Sequence, residues 1–330
     1  MSAVVLHAGI SAPMGLTAAA AQRAIVAGVA AFSETLVHDQ SGDPVRASHL
    51  PSLPPDLDRT ERITFFATRA LADCLSPVEK GHAPPIHAFV ALPPSDPARP
   101  VNAPYVLSQL KKETDHLPME WAASPVLAGG AGFFHALSAA CTAVLSGRAP
   151  LALAGAADSA CDAASLGVWV HERRALNQHN RDGSLPGEGA GFVLIGRGPS
   201  MGLSPIGKLV ACAVAPGKGT LGELFQALHA ANASRPRPDH LFACQTANRA
   251  TGRALMEAYF RAPKLMPEPF RMTLSAESQG DAGVAAGAVE LCATLHRFSI
   301  ARRRMHPLRT ALLAAPGEGG KAAGALVAAP

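Results

Sequence analysis

Apolar and polar residues fall in blocks along the chain, and block length separates strands from helices. Val4-Val5-Leu6-His7-Ala8-Gly9 is a short, nearly continuous apolar run, the pattern of a buried strand. Pro13 to Gly15 turn the chain, Thr17 can cap a helix, and that helix should run to about Ala27 and stop at Gly28. From Arg59 to Leu75, the residues Ile63, Phe66, Ala67, Ala70, Leu71 and Leu75 recur at helical spacing. Ile86 to Leu92 reads as a second strand, and Pro93 to Pro104 as a proline-rich surface loop. Past Gly129-Gly130-Ala131-Gly132 a helix is expected over about Phe133 to Ser146, stopped by Gly147. The apolar strand Leu151 to Gly155 follows, then a helix over about Ala160 to Leu176. A polar turn at Asn180 to Gly183 leads through Pro186-Gly187-Glu188-Gly189-Ala190-Gly191 into the strand Phe192 to Ile195.

Gly196 to Ser204 is rich in Gly, Pro and Ser and divides the chain into residues 1–198 and 199–330. Beyond it the pattern starts again. Lys208 to Val214, His240 to Ala243, Arg271 to Leu274, Thr310 to Ala314 and Gly324 to Val327 read as strands. Leu221 to Ala231, about Ala250 to Phe260, and Ala282 to His296 read as helices. Strands alternating with helices predict an α/β fold around a mixed, largely parallel sheet, and the restart predicts two pseudo-duplicated halves forming one compact unit.

Composition narrows the class. The 330 residues are 48% hydrophobic but only 16% charged, and aromatics are sparse at 5%. Abundant Ala and Gly let helices pack closely on sheets. The net charge of +4 comes with no long basic run or interleaved aromatics, which argues against nucleic acid as a partner. The densest basic stretch, Arg302-Arg303-Arg304, reads as a solvated helix end. The cysteines Cys74, Cys141, Cys161, Cys212, Cys244 and Cys292 form no CxxC pair and no zinc-ligand spacing. Free thiols in apolar surroundings, no basic segment before the first apolar run, and no apolar run of membrane length predict a cytoplasmic protein without metal, cofactor or membrane partner.

Five motifs, in order, carry a resemblance. They are the opening strand and Pro-x-Gly turn (Val4 to Gly28), GRAPLALAGAADS (Gly147 to Ser159), RDGSLPGEGAGFVLI (Arg181 to Ile195), AAGAVE (Ala285 to Glu290), and Gly317-Glu318-Gly319-Gly320. Together they resemble the β-ketoacyl-ACP synthase branch of the thiolase superfamily, almost end to end. The resemblance implies a thiolase-like fold layered α-β-α-β-α. It implies shortening between Leu92 and Val126 and between Ala213 and Asp239, where the family builds its acyl pocket and dimer contacts.

The resemblance also implies a catalytic set that this chain lacks. The family's nucleophilic cysteine, at a helix N-terminus where the dipole favours a thiolate, falls on Gly130, about five residues before His135. Cys141 lies too deep in the helix to replace it and reads as a core residue. The family's first histidine, in a motif resembling N-A-H-G-T-x-T, falls on Cys244. The second falls on Asp281, the family's lysine near it on Ala276, and the aromatic gate on Glu318. Glu188, in a strand-entry turn, reads as a structural hydrogen-bonding group.

Three functional readings follow. In the first, the chain is a non-condensing, chain-length-factor-like subunit paired with an active ketosynthase, dimerising through roughly Ala136 to Gly155. In the second, Cys244 and Asp281 converge on the old site, with Glu318 at its rim and His135 or His240 as a base, and run rewired acyl-transfer or hydrolytic chemistry. In the third, a homodimer holds an acyl chain or an acidic acyl carrier protein without turnover, docking it through Arg173, Arg174 and Arg302 to Arg304.

Overall fold

The computed structural model describes residues 3–78, 83–233, 236–244, 248–301, 308–317 and 321–330. The first half runs β1 (Ala3–Ser11), α1 (Ala18–Val26), the hairpin β2 (Phe32–His38) and β3 (Pro44–Ser48), α2 (Arg59–Leu75), β4 (Ile86–Ala91), α3 (Ala103–Glu113) and β5 (Met119–Trp121). It continues with α4 (Gly132–Leu145), β6 (Leu151–Ser159), α5 (Ala163–His171) and β7 (Glu188–Gly196). The second half runs β8 (Gly207–Val214), α6 (Leu221–Ala231), β9 (His240–Ala243), α7 (Arg249–Arg261), β10 (Met272–Leu274) and the short α8 (Ala276–Gln279). It ends with α9 (Ala286–Ala301), β11 (Thr310–Ala315) and β12 (Ala323–Ala328).

Strand order shows the duplication. The first half pairs β1-β7-β6-β4-β5 and the second β8-β12-β11-β9-β10. In each, the first two contacts are antiparallel and the last two parallel. Antiparallel pairing of β1 with β8 joins the halves into one ten-stranded sheet. The expected largely parallel sheet is therefore an evenly mixed one. The reason is that β7 and β12 each return beside the preceding strand instead of crossing over in parallel.

Side-chain alternation produces the layers, because successive strand residues face opposite sides. Ala152, Ala154 and Ala156 of β6 join a central core with Phe133 and Phe134 of α4 and Val289 of α9. Leu151 and Leu153 face the other way, onto Ile63, Phe66 and Leu71 of α2 and Leu110 of α3. In the second half, Leu312 and Leu326 turn outward onto Leu224 and Phe225 of α6 and Leu255 of α7. The result is the predicted α-β-α-β-α order, with α4 and α9 as the shared middle layer. Close packing requires small residues there: a Cβ on Gly191 would fall 2.9 Å from the Ala288 carbonyl carbon.

Several elements differ from the sequence reading. The β2–β3 hairpin, α3 and β5 lie where no element was expected. The helix expected over about 160–176 is only α5, because the Asp162 side chain caps it late (3.0 Å from Ser165 N) and Arg173 leaves it at φ 53°. The helix expected from Ala282 starts at Ala286, after a 3-10 turn over Gly283–Ala285. Among the described residues, no helix is long and apolar enough to cross a membrane.

A buried polar network ties α2 to the sheet. Asp58 and Glu61 form a reciprocal capping box at its start. Arg59 and Arg62, also in the first turn and its continuation, are buried cations at the end of the helix where the dipole disfavours positive charge. Carboxylates from the strands compensate. Glu188 accepts two hydrogen bonds from Arg62 (both 2.8 Å), one from the Ser159 hydroxyl (2.8 Å) and one from Leu50 N (3.0 Å). Asp158 accepts from Arg59 (2.9 Å), from Ser159 N (2.8 Å) and, across the two halves, from Val284 N (3.1 Å). Removing one partner of such a pair leaves an uncompensated buried charge. Glu188→Leu should therefore cost about 3–5 kcal/mol in urea unfolding, and the double variant Arg62→Met/Glu188→Leu should cost less than the two single changes added.

Candidate functional site

The N-termini of the two central helices meet at one polar cleft. α4 is entered through a 3-10 turn over Gly129–Ala131 and α9 through the one over Gly283–Ala285. Gly129 at φ 57° and Gly283 at φ 51° hold the left-handed conformation that swings each chain from loop into helix, which glycine adopts without strain. The two turns occupy equivalent places in the two halves, but their chemistry differs. At α9 the chain's own carboxylates take the exposed amides: Asp281 Oδ1 accepts from Gly283 N (3.1 Å) and Asp158 Oδ2 from Val284 N. At α4 no side chain among the described residues caps the turn.

Between these ends lies a cleft of about 220 Å³ whose charged walls are Arg59, Arg99, Arg174, Asp158 and Asp281. Arg99 is paired with Asp96 (3.1 Å), and Arg59 with Asp158. Arg174 stacks over the Trp169 ring at 4.5 Å, with Glu172 and Asp281 at 3.5 and 3.9 Å. Among the described residues, no cluster of His, Cys, Asp and Glu could hold a metal ion.

Gly130 and Asp281 line this cleft together. Among the described residues, a Cβ on Gly130 would meet only the Pro316 carbonyl, at 3.8 Å, so they leave room for a side chain where none stands. Cys244 is not among the residues lining this cleft, though it shares the central core with Ala131 and Ala282, the neighbours of Gly130 and Asp281. Cys244 is hydrogen-bonded to the sheet through its backbone N–H (2.8 Å to Ala314 O), and its side chain, 2% exposed, is part of the central core. Burial, and secondly the nearby Glu290 carboxylate, push its thiol well above the ordinary range. Glu290 is itself buried and ion-paired with Arg297, which lies over the Phe242 ring at 4.6 Å.

Neither candidate base serves Cys244. His135 donates through Nε2 to the Lys321 carbonyl (2.9 Å). His240 stacks on Phe242 and shares a 2.9 Å hydrogen bond with the Thr273 hydroxyl. Burial, with Arg297 and Arg271 beside it, lowers its pKa to about 4. Ala276 opens α8 and does not line the cleft. Cys141 is buried in α4 and pushed up to about 12 by desolvation. Desolvation raises the other four thiols as well, so a thiolate is disfavoured at neutral pH at every cysteine. Glu188 is saturated with hydrogen bonds and lies 1% exposed beneath the cleft. Glu318 and Arg302 to Arg304 lie outside the described residues.

Sequence reasoning did not place Arg59, Arg99 or Trp169 at the site. For Arg59 a signal existed. Two arginines at the start of an amphipathic helix, against its dipole, require buried anionic partners. Nothing local marks Arg99 or Trp169, which reach the cleft from separate loops and helices.

No protein-family model matches the chain, and no curated protein does either. Solved structures do. The ishigamide ketosynthase/chain length factor superposes over the whole of this chain and 99% of its own, with a TM-score of 0.80 at 15% identity. A type II polyketide synthase acyl-carrier protein in complex with its ketosynthase gives 0.77 at 16%, and a beta-ketoacyl synthase from Burkholderia phymatum STM815 gives 0.77 at 14%. The chain thus has the thiolase-like fold of these ketosynthases. A shared fold does not carry chemistry with it.

Two outcomes follow from the site's geometry. Gly130→Cys should fold like the parent, since its side chain meets open space and an uncapped helix end. Its new thiol should be alkylated by iodoacetamide at least about tenfold faster than any native cysteine, read by peptide mass. For His240, the unfolded chain takes up a proton near pH 6.5 and the folded one resists until about pH 4. Its contribution is present above pH 6.5 and lost as pH falls through that window, about 1–2 kcal/mol after allowance for solvent screening. In urea unfolding at pH 7 and 4.5, His240→Gln should show a smaller difference between the two pH values than the parent.

Proposed function

We propose that the chain is a non-condensing ketosynthase-like subunit. It acts beside an active ketosynthase and an acyl carrier protein in fatty-acid, polyketide or aryl-polyene-type synthesis. One observation carries the reading: at the uncapped N-terminus of α4, where a nucleophile would feel the dipole and has room to stand, the residue is Gly130. Without a side chain there, no acyl thioester forms. Cys244 and Asp281, at the positions the family resemblance assigns to histidines, supply no neutral imidazole to stabilise an enolate oxygen. The structural likeness to a ketosynthase/chain length factor supports this reading.

The burial of Cys244 weighs against rewired thiol chemistry. The dimer segment read from the sequence, about Ala136 to Gly155, spans α4 and β6. β6 is flanked by β7 and β4, and all nine of its residues are buried, so it has no edge to offer. The free edge of the first half belongs to β5, paired only with β4. A partner strand added there would continue the sheet across the interface.

The test is co-purification with the ketosynthase encoded nearest to this chain, followed by native mass measurement. A stable one-to-one heterodimer, with condensing activity only when the partner is present, is the expected result. A homodimer that ignores every ketosynthase would sink the proposal and favour a self-contained acyl- or carrier-binding module.

A further inference from the structure

The excess of positive charge lies in one half of the chain. Residues 199–330 hold 15 Lys and Arg against 8 Asp and Glu, while residues 1–198 hold 14 against 17. Much of that excess sits on α7 and the segment that follows it into β10. Five cations are exposed there: Arg249, Arg253, Arg261, Lys264 and Arg271. The same segment holds two acids, Glu257 and Glu268, and Glu268 is ion-paired with Arg237. None of the five cations is paired with a carboxylate among the described residues.

This segment also holds four of the ten large hydrophobic side chains exposed among the described residues: Met256, Phe260, Phe270 and Met272. On α7 the two kinds of residue share one face. Thr251, Leu255 and Ala258 are its buried side. At about 100° per residue, Arg249, Arg253, Met256 and Phe260 fall within an arc of about 60° on the opposite side. Phe260 is 73% exposed. A merely solvated helix face is polar throughout. Arginines interleaved with a methionine and an aromatic ring are the make-up of a protein-docking surface.

Place and charge select the partner. On one flank of this face, Ala250, Ala254 and Arg261 line a groove of about 360 Å³ that passes the start of α6 and reaches Pro316 and Gly317. The Pro316 carbonyl is the described group nearest the side-chain position of Gly130, at 3.8 Å. A protein seated on α7 therefore lies beside a groove that ends next to the α4 entrance. The charge complement of the surface is an acidic protein, and the acidic partner of the subunit reading is the acyl carrier protein. Arg174, expected from the sequence to dock it, is engaged elsewhere: it stacks on Trp169 beside Glu172 and Asp281.

We propose that the exposed face of α7 docks an acidic acyl carrier protein, Arg249 and Arg253 meeting its carboxylates and Met256 and Phe260 its apolar side chains. Only the identity of the partner rests on the subunit reading.

The carrier protein encoded nearest to this chain is titrated by calorimetry into the full chain, alone and with the nearest ketosynthase. Saturable one-to-one binding that weakens as salt rises is expected. Arg249→Glu/Arg253→Glu should weaken it at least about tenfold, and so should Phe260→Ala. All three side chains are exposed, and acids in the first turn of α7 agree with its dipole, so both variants should keep the parent's unfolding temperature. Arg173→Glu, which reverses an exposed arginine of the first half, should leave binding unchanged. Association with the ketosynthase, read by native mass, should be the same in every variant. A heterodimer that binds no carrier protein would overturn the docking proposal and leave the subunit reading standing. Carrier binding lost in the α7 variants, without any heterodimer, would do the reverse. Carrier binding retained in Arg249→Glu/Arg253→Glu, or binding of phosphatidylglycerol vesicles or duplex DNA in place of the carrier protein, would also overturn the proposal.

Discussion

Two guanidinium groups at the start of α2 have to be neutralised inside the protein, and much of the architecture around the polar cleft is arranged to do it. Arg62 takes the whole of one side of Glu188, and the remaining lone pairs of that carboxylate are filled by Ser159 and Leu50 N. Arg59 takes Asp158, whose other oxygen holds the first turn leading into α9. Five separate stretches of chain, from both halves, are thereby fixed around one set of charges. Buried ion pairs gain little net stability over apolar packing, but they penalise every arrangement that leaves a charge unpaired. The penalty specifies how α2, β6, β7 and the entrance of α9 meet.

The duplicated halves bring the positive ends of α4 and α9 to the same place. At α9 the chain's own Asp158 and Asp281 satisfy the helix end, and a side chain on Gly283 would fall 2.1 Å from Asp158 Oδ2. At α4 no described side chain caps the end, and the position beside it is a glycine with space around it among the described residues. One member of the pair is closed by structure and the other is vacant of chemistry. A helix dipole can activate a nucleophile only if a nucleophile is present. On the proposed reading, Gly130 leaves the α4 end without the group that its dipole would activate.

How far the sequence could be read depended on whether local pattern or long-range pairing set each feature. α2 was legible to the residue because Ile63, Phe66, Ala70 and Leu71 mark its buried face and Asp58 and Glu61 mark its start. α6 was equally clear, with Thr220 and Glu223 forming its cap. β5 and β10, three residues each, carry too little pattern to be recognised reliably, and β5 was missed. Cys244 was legible as a substitution but not as a buried one. Its burial follows from the place of β9 between β10 and β11, which no local pattern encodes.

The sequence by itself determined most of the element order, the β2–β3 hairpin, α3 and β5 excepted, together with the restart after Gly196 to Ser204, the identity of the residue at the α4 entrance and the lack of a low-pKa setting for most cysteines, because helical and strand periodicities and residue chemistry are local properties. Only the tertiary structure decided that β6 is interior and β5 and β10 are edges, that Arg59, Arg99 and Arg174 face Asp281 across one cleft, and that Cys244 is sealed in the core. Those outcomes depend on which strands pair and which faces pack, and pairing is settled by contacts between residues far apart in the chain.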